Sequence, residues 1–222
     1  MTVVDELPRL PMRTQSANEE LANTISHAIG FIAALLGTPI LLIAALRRGV
    51  TPFFVGTVVF VTTMLVLYFG STLYHAWPRT HAKSVLQVFD HAAIFFLIAG
   101  TYTPFTLRSL GEVWGATLFA LVWALAIFGA LVKITRGPLR HPRLAMSLYL
   151  GTGWLGLVVF RPMTLAVPPA AMFWLFAGGV AYTLGVVFFR MERLPYGHFV
   201  WHLFVVAGTT CHFFAIFACC AV

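Results

Sequence analysis

Long apolar stretches, separated by short segments with charges or prolines, restrict the folds that this chain can adopt. A helix that crosses a bilayer needs about 20 predominantly apolar residues. The chain contains seven such runs, at approximately 24–46, 53–77, 85–107, 113–133, 143–161, 170–190 and 196–220. Only 9% of its residues are charged, against about 25% in a typical soluble domain. We therefore predict an all-α, polytopic integral membrane protein with seven transmembrane helices.

The division of the chain follows from the same pattern. Residues 1–22 are polar and are expected to form an N-terminal cytoplasmic segment, while residues 23–222 are expected to form one seven-helix domain. The start has no short basic region followed by an apolar stretch and a small-residue cleavage site, so no cleaved signal peptide is predicted. The fifth run is the weakest, because Gly151, Gly153 and Gly156 can loosen a helix or let another helix pack closely.

Basic residues in the loops predict the orientation of the bundle. With the N-terminus in the cytoplasm, ten of the 14 Lys and Arg residues fall in cytoplasmic segments and four in external ones, as the positive-inside rule expects. The N-terminus is therefore predicted to be cytoplasmic and the C-terminus external. The net charge of +7 does not indicate a nucleic-acid partner, because the sequence has no basic stripe with interleaved aromatic residues.

Asp90 is the one acidic residue that lies well within an apolar run. Placing an isolated charge at the centre of a membrane helix costs about 2.5–3.5 kcal/mol, so such a residue needs a partner and is a functional candidate. The alternative is a structural role, in which Asp90 reaches the nearby loop or pairs with Lys83 or Arg79.

Three histidines are the natural partners of this acid. His198 and His202 are four residues apart and therefore share one helix face, from which two imidazoles can bind one metal ion. His75 lies near the end of the second run, one turn after Ser71. With the N-terminus inside, these residues and Asp90 lie at a similar depth near the inner face. Three neutral imidazoles with an open position are typical of a catalytic zinc site.

Further polar residues lie near the same membrane face. Glu20, Asn23 and His27 share one side of the first run, where they are predicted either to support the metal site as a second shell or to cap and anchor the helix. His91 follows Asp90 and is rotated by about 100° around the helix. It is predicted to be a packing residue or part of the same second shell. His212 is too deep to join the cluster and is expected to form a hydrogen bond between helices.

Taken together, several motifs resemble those of the hemolysin III family, from about residue 20 to the end of the chain. The family belongs with the progestin and adipoQ receptors and more distantly resembles alkaline ceramidases. The matching segments are Glu20-Leu-Ala-Asn23, Ser26-His27-Ala-Ile-Gly30, Ser71-Thr-Leu-Tyr-His75, Asp90-His-Ala-Ala-Ile, Gly100-Thr-Tyr-Thr-Pro-Phe105 and His198-Phe-Val-Trp-His202.

This resemblance implies a seven-helix fold with Zn²⁺ near the cytoplasmic face, in a bacterial inner membrane. It implies that His75, His198 and His202 bind the zinc, that Asp90 contacts it through water, and that Ser71 accompanies them. The leading functional hypothesis is a zinc-dependent hydrolase of lipid amide or ester bonds, linked to membrane-lipid homeostasis. In that hypothesis Asp90 is the general base, and Ser71 helps to stabilise the oxyanion.

Two alternatives belong to different functional classes. One is a non-enzymatic membrane regulator or receptor-like protein in which zinc is structural. The other is a pore-forming haemolysin, against which a single acidic residue inside the seven runs argues mildly. The expected partners are membrane lipids, with a fatty-acyl or sphingolipid-like substrate in the enzymatic case. The sequence does not indicate an oligomeric state.

Overall fold

The computed structural model describes residues 14–108, 110–137, 142–191 and 193–220, and within these ranges the chain is helical and has no β-strand. The part of the predicted N-terminal segment before residue 14 lies outside them. The helices are α1 (Ala17–Arg47), α2 (Thr51–Ala76), α3 (His81–Arg108), α4 (Gly111–Arg136), α5 (Pro142–Gly153), α6 (Phe160–Ala166), α7 (Pro169–Arg190) and α8 (Gly197–Cys220).

Six of these helices are long and apolar enough to cross a membrane, namely α1, α2, α3, α4, α7 and α8. The bent pair of α5 and α6 makes a seventh span if it is counted as one. Large apolar side chains remain exposed along these helices, for example Leu36 on α1 with 66% of its surface accessible. Such side chains are unfavourable in water and favourable in lipid. The predicted all-α, polytopic membrane fold is confirmed. The orientation of the termini stays a prediction.

The fifth span is not the single continuous helix that was predicted over residues 143–161. After α5 ends at Gly153, a short 3-10 turn covers Leu155–Leu157, and α6 then continues at an angle of 55°. The hydroxyl of Tyr102 on α3 donates to the Gly153 carbonyl at 2.7 Å and accepts from the Gly156 N–H at 2.9 Å. These bonds satisfy backbone groups freed by the break, which lipid could not do.

Close helix packing brings the site-bearing helices together. The sequential pairs α1–α2, α2–α3 and α3–α4 pack extensively, as do α7–α8, and α8 returns to contact α1. Glycines permit several of these contacts, since a Cβ on Gly56 would lie 2.5 Å from the Cα of Pro104 on α3. Neighbouring spans run antiparallel, so the start of α1, the end of α2 and the starts of α3 and α8 meet at one end of the bundle.

The start of α1 is fixed to the start of α8 by one carboxylate. Ser16 and Glu19 form a capping box, in which each side chain accepts a hydrogen bond from the other residue's backbone N–H. The second oxygen of Glu19 accepts from the backbone N–H of Tyr196, at 2.8 Å. Tyr196 has a positive φ of 57° just before α8 begins. This contact places the first turn of α8 against α1.

Candidate metal centre

Three histidines converge at this end of the bundle. His75 lies in the last turn of α2, while His198 and His202 lie in the first two turns of α8. Their ring centroids are between 4.7 and 5.1 Å apart, and one nitrogen from each lies within 4.8 Å of the others. His75 and His202 are buried and His198 is half-buried. The group could therefore hold a metal ion.

One ring nitrogen of His75, Nδ1, is hydrogen-bonded to a carboxylate from α1. Nδ1 of His75 lies 2.8 Å from Oε2 of Glu20. The other oxygen of Glu20 pairs with the ammonium group of Lys83 at 3.0 Å, so the carboxylate is ionised and only accepts hydrogen bonds. Nδ1 therefore bears the hydrogen, and Nε2 keeps a lone pair. Nε2 is buried and has no hydrogen-bond partner among the described residues.

His202 is oriented in the same way by a different group. The Ser26 hydroxyl donates its one hydrogen to the Asn23 carbonyl at 2.8 Å. Its oxygen must then accept from Nδ1 of His202, which lies 3.0 Å away. The Asn23 carbonyl is also within 3.3 Å of this nitrogen. Nδ1 of His202 is thus a donor, and Nε2 is again the nitrogen with a free lone pair.

These features match what a metal requires of its ligands. Metal-bound histidines usually donate the second ring N–H to a carboxylate, a backbone carbonyl or water, which fixes the tautomer. Nε2 of His198 is a second buried nitrogen without a hydrogen-bond partner in the described part of the chain. Two buried imidazole nitrogens without partners would be costly in an apolar interior, and a cation would satisfy both of them together with the free lone pair on Nε2 of His202. The residues therefore fit a metal ion.

Asn23 and His27, both buried on α1, lie next to this group. The Asn23 amide donates to Gln15 at 2.6 Å and lies 3.4 Å from Nδ1 of His75. His27 does not bond to a ligand nitrogen. Its ring stacks on that of His202, with centroids 3.6 Å apart and an interplanar angle of 9°. It therefore supports the face of a ligand ring rather than its hydrogen bonding.

His91 bonds within its own helix. Its Nδ1 lies 2.7 Å from the carbonyl of Gln87, one turn earlier on α3. Its own carbonyl accepts from the hydroxyl of Tyr149 on α5, at 2.8 Å. The ring is thus tied to the α3 backbone, which favours the packing interpretation over the second-shell one.

Asp90 and Ser71 face a cavity next to the histidines. Both are buried, and both line this cavity together with His27 and His202. The Ser71 hydroxyl is fully buried and has no hydrogen-bond partner among the described residues. Asp90 is not one of the three grouped side chains that could hold a metal ion. Neither of the basic residues considered as its partners binds it: Lys83 pairs with Glu20 and Arg79 with the Gln15 carbonyl.

The cavity extends from His202 deep into the bundle. Its volume is about 170 Å³, and most of its lining is apolar. It reaches along α3 from Asp90 to Thr106, a distance of roughly 24 Å at the rise of an α-helix. His212 also lines it, and Nε2 of His212 approaches the Leu175 carbonyl on α7 at 3.4 Å, as expected for a residue that links two helices.

Two groups around the histidines escaped the sequence reasoning. Ser26 was part of a motif but received no role, and Lys83 was considered only as a partner for Asp90. The one available signal for Ser26 was its position three residues after Asn23, on the same side of α1. No sequence spacing places Lys83 beside Glu20, because the two residues are on different helices.

Comparison with known proteins decides the family of this chain. The sequence model of the family described as "Haemolysin-III related" matches residues 15–213. The chain belongs to this family. The match covers every residue of the candidate metal centre, from Glu20 on α1 to His202 on α8, and it confirms the resemblance drawn from the motifs.

Two bacterial haemolysin-III proteins align with nearly the whole chain. "Hemolysin-3 homolog" of Bacillus subtilis (strain 168) is 37% identical over 202 residues, covering 91% of this chain and 94% of the relative. "Hemolysin-3" of Bacillus cereus is 38% identical over 208 residues, covering 94% of each. The human "Monocyte to macrophage differentiation factor" is more distant, at 28% identity over 207 residues, covering 89% of this haemolysin-III chain and 83% of the human protein.

Proposed function

We propose that this haemolysin-III protein is a zinc-dependent hydrolase that cleaves an amide or ester bond of a membrane lipid. The observation that supports the proposal most directly is a single juxtaposition. His202, one of the three grouped histidines, lines an apolar cavity, and Asp90 and Ser71 line the same cavity. A metal that only held the helices together would need the histidines. It would not need a buried acid and a buried hydroxyl beside a ligand-sized cavity.

The donor set favours zinc over harder cations. Three neutral imidazole nitrogens suit zinc, whereas Mg²⁺ and Ca²⁺ prefer oxygen ligands. Three protein ligands also leave a fourth position open, which distinguishes catalytic zinc sites from closed structural ones. A bound zinc ion supplies Lewis acidity, which activates water and polarises a carbonyl oxygen.

The chain's own residues then have distinct tasks. Asp90 accepts a proton from the attacking water, because its carboxylate lines the cavity and can act as the base. The Ser71 hydroxyl donates a hydrogen bond to the oxygen of the scissile carbonyl as negative charge develops there. The carbonyl carbon gains an oxygen from water and loses its bond to the amine or alcohol. The proton held by Asp90 passes to that leaving group, so the products are a carboxylic acid and an amine or alcohol.

The walls of the cavity suit a fatty substrate. Leu157 on the 3-10 turn, Phe160 on α6 and Phe176 on α7 line it, yet each also keeps 37–51% of its surface exposed on the outside of the bundle. The cavity therefore reaches the lipid-facing surface where the fifth span is broken. An acyl chain could enter from the membrane at this point without crossing water.

The metal centre is proposed to face the cytoplasm. Ten of the 14 basic residues lie at its end of the bundle or in the segments connected to that end, as the positive-inside rule expects for a cytoplasmic face. The substrate would then be a lipid of the inner leaflet. The two Bacillus relatives support a bacterial cytoplasmic membrane as the location.

The decisive experiment measures metal and turnover on one preparation. Purified protein loaded with zinc should release fatty acid from ceramide or phospholipid in mixed micelles. Asp90→Asn should keep the metal and lower turnover by about 10²–10⁴-fold, the usual contribution of a general base. Full zinc occupancy without turnover of any lipid tested would refute the hydrolase and favour the structural-zinc regulator. Release of dye trapped in liposomes, unaffected by Asp90→Asn, would favour the pore.

A further inference from the structure

Lys83, at the start of α3, makes an unusually complete set of contacts for a lysine at a membrane surface. Its ammonium group lies 3.0 Å from Oε1 of Glu20. It also donates to the carbonyls of Tyr74 and Trp77 at 2.9 and 3.2 Å, and the His75 carbonyl lies 3.5 Å away. Two of these four partners, Tyr74 and His75, belong to the last turn of α2, Trp77 is its C-cap residue, and Glu20 belongs to α1.

The contacts with α2 stabilise the turn that contains a metal ligand. The last carbonyls of a helix have no partner within the helix, and a cation there also interacts favourably with the helix dipole. Lys83 satisfies the carbonyls on either side of His75 in the chain. It therefore holds the backbone position from which the His75 side chain projects.

The contact with Glu20 on α1 acts on the side chain of His75 rather than on its backbone. Glu20 uses Oε1 for Lys83 and Oε2 for Nδ1 of His75. Only 19% of the Glu20 side chain is exposed, and an ionised carboxylate is costly to keep buried unless it is paired. Without the ammonium group, the carboxylate would therefore favour a side-chain conformation that reaches solvent. Lys83 thus keeps Glu20 in the orientation that fixes the His75 tautomer.

We infer that Lys83 is a positioning residue for the metal centre, acting on His75 through both the α2 backbone and the Glu20 carboxylate. The inference rests on the proposed function only in that it requires the histidines to bind zinc. It does not depend on the substrate or on hydrolysis. Lys83 touches neither the metal position nor the cavity.

The test is the zinc affinity of the full-length protein in detergent, measured by competition with a chelating dye. Lys83→Met should weaken zinc binding by about 10–100-fold, the usual effect of losing a partner of a metal ligand. Arg136→Met is the matched control, because it removes one positive charge from an exposed side chain at the end of α4, a helix from which no described residue joins the histidine group. It should leave zinc affinity within about twofold of the wild type.

A double-mutant cycle separates positioning through Glu20 from helix capping alone. Glu20→Gln should also weaken zinc binding, and the double variant should bind zinc no more than about threefold more weakly than Glu20→Gln. Independent effects would instead multiply. The melting temperature of the metal-free proteins reports the capping role separately. If Lys83 only caps α2, its loss would lower the melting temperature without changing zinc affinity.

Each outcome has one meaning. If the wild type binds no zinc, the proposed metal centre fails and not only the role of Lys83. If the wild type binds zinc and Lys83→Met binds it equally well, the positioning role is overturned. If the effects of Lys83→Met and Glu20→Gln multiply, Lys83 does not act through the carboxylate. A partial recovery with Lys83→Arg would support the inference, because the charge is kept while the planar guanidinium fits the four acceptors less well.

Discussion

Replacing His202 with alanine is the sharpest perturbation of the proposed metal centre. The substitution removes one of the three nitrogens that lie within 4.8 Å of one another. Structural zinc sites with four ligands contribute about 10–16 kcal/mol, or roughly 2.5–4 kcal/mol for each ligand. At about 1.4 kcal/mol for each factor of ten, the loss of one ligand corresponds to a 60–700-fold weaker affinity.

The surroundings of His202 place the expected loss in the upper half of this range. Its Nδ1 is held by the Ser26 hydroxyl at 3.0 Å, and its ring stacks on His27 at 3.6 Å. A ring that is already fixed in its metal-binding orientation loses little conformational freedom when the ion binds. Its removal therefore takes away a preorganised ligand and leaves the Ser26 oxygen without its donor.

The assay is the zinc content of protein purified in detergent and dialysed against a weak chelator, together with the dissociation constant from competition. His212→Ala is the matched control, since it is the same substitution in a buried histidine ten residues further along α8. We expect the wild type and His212→Ala to retain about one zinc per chain and His202→Ala to lose it. Full occupancy in His202→Ala, or equal loss in both variants, would refute the assignment of the ligands.

Three further predictions concern the groups that position the site and the bundle. Ser26→Ala should weaken zinc binding by about 10-fold or more, and an unchanged dissociation constant would show that His202 needs no orienting hydroxyl. Gly56→Ala should lower the free energy of unfolding by about 1–3 kcal/mol through overpacking against the backbone of α3. Gly151→Ala is the control and should not lower it, because a Cβ at Gly151 meets nothing within 4 Å. Thermal denaturation in detergent measures the difference, and equal melting temperatures of the two variants would contradict the close contact at Gly56. Tyr102→Phe should cost about 1–3 kcal/mol by leaving two peptide groups at the break in the fifth span without a partner, and a melting temperature identical to that of the wild type would show that water or another group replaces the hydroxyl.

Much of the site could be predicted because it depends on position along helices. Antiparallel spans bring the end of the second run and the start of the last run to the same end of the bundle. A spacing of four residues puts His198 and His202 on one face, and His75 then joins them. The structure brings these three together as predicted. It also places Asp90 and Ser71 in one cavity, although their catalytic roles remain a proposal.

The contacts that orient the ligands could not be predicted in the same way. The bonds of Glu20 to Lys83 and of Ser26 to His202 join residues that are far apart in the chain. They depend on how each helix is rotated about its axis. In soluble proteins an apolar stripe reveals that rotation, but a membrane helix is apolar on most faces, so its sequence pattern does not specify which side meets its neighbour.

The sequence by itself determined that the chain crosses a membrane several times and that its polar residues collect at one end, because both properties follow from the length and charge of each segment. Only the tertiary structure decided that the fifth span breaks after Gly153, that Tyr102 satisfies the freed backbone groups, and that a cavity opens beside the histidines. The reason is physical: breaks and cavities depend on whether side chains from other helices supply hydrogen bonds and fill space, and no single segment contains that information.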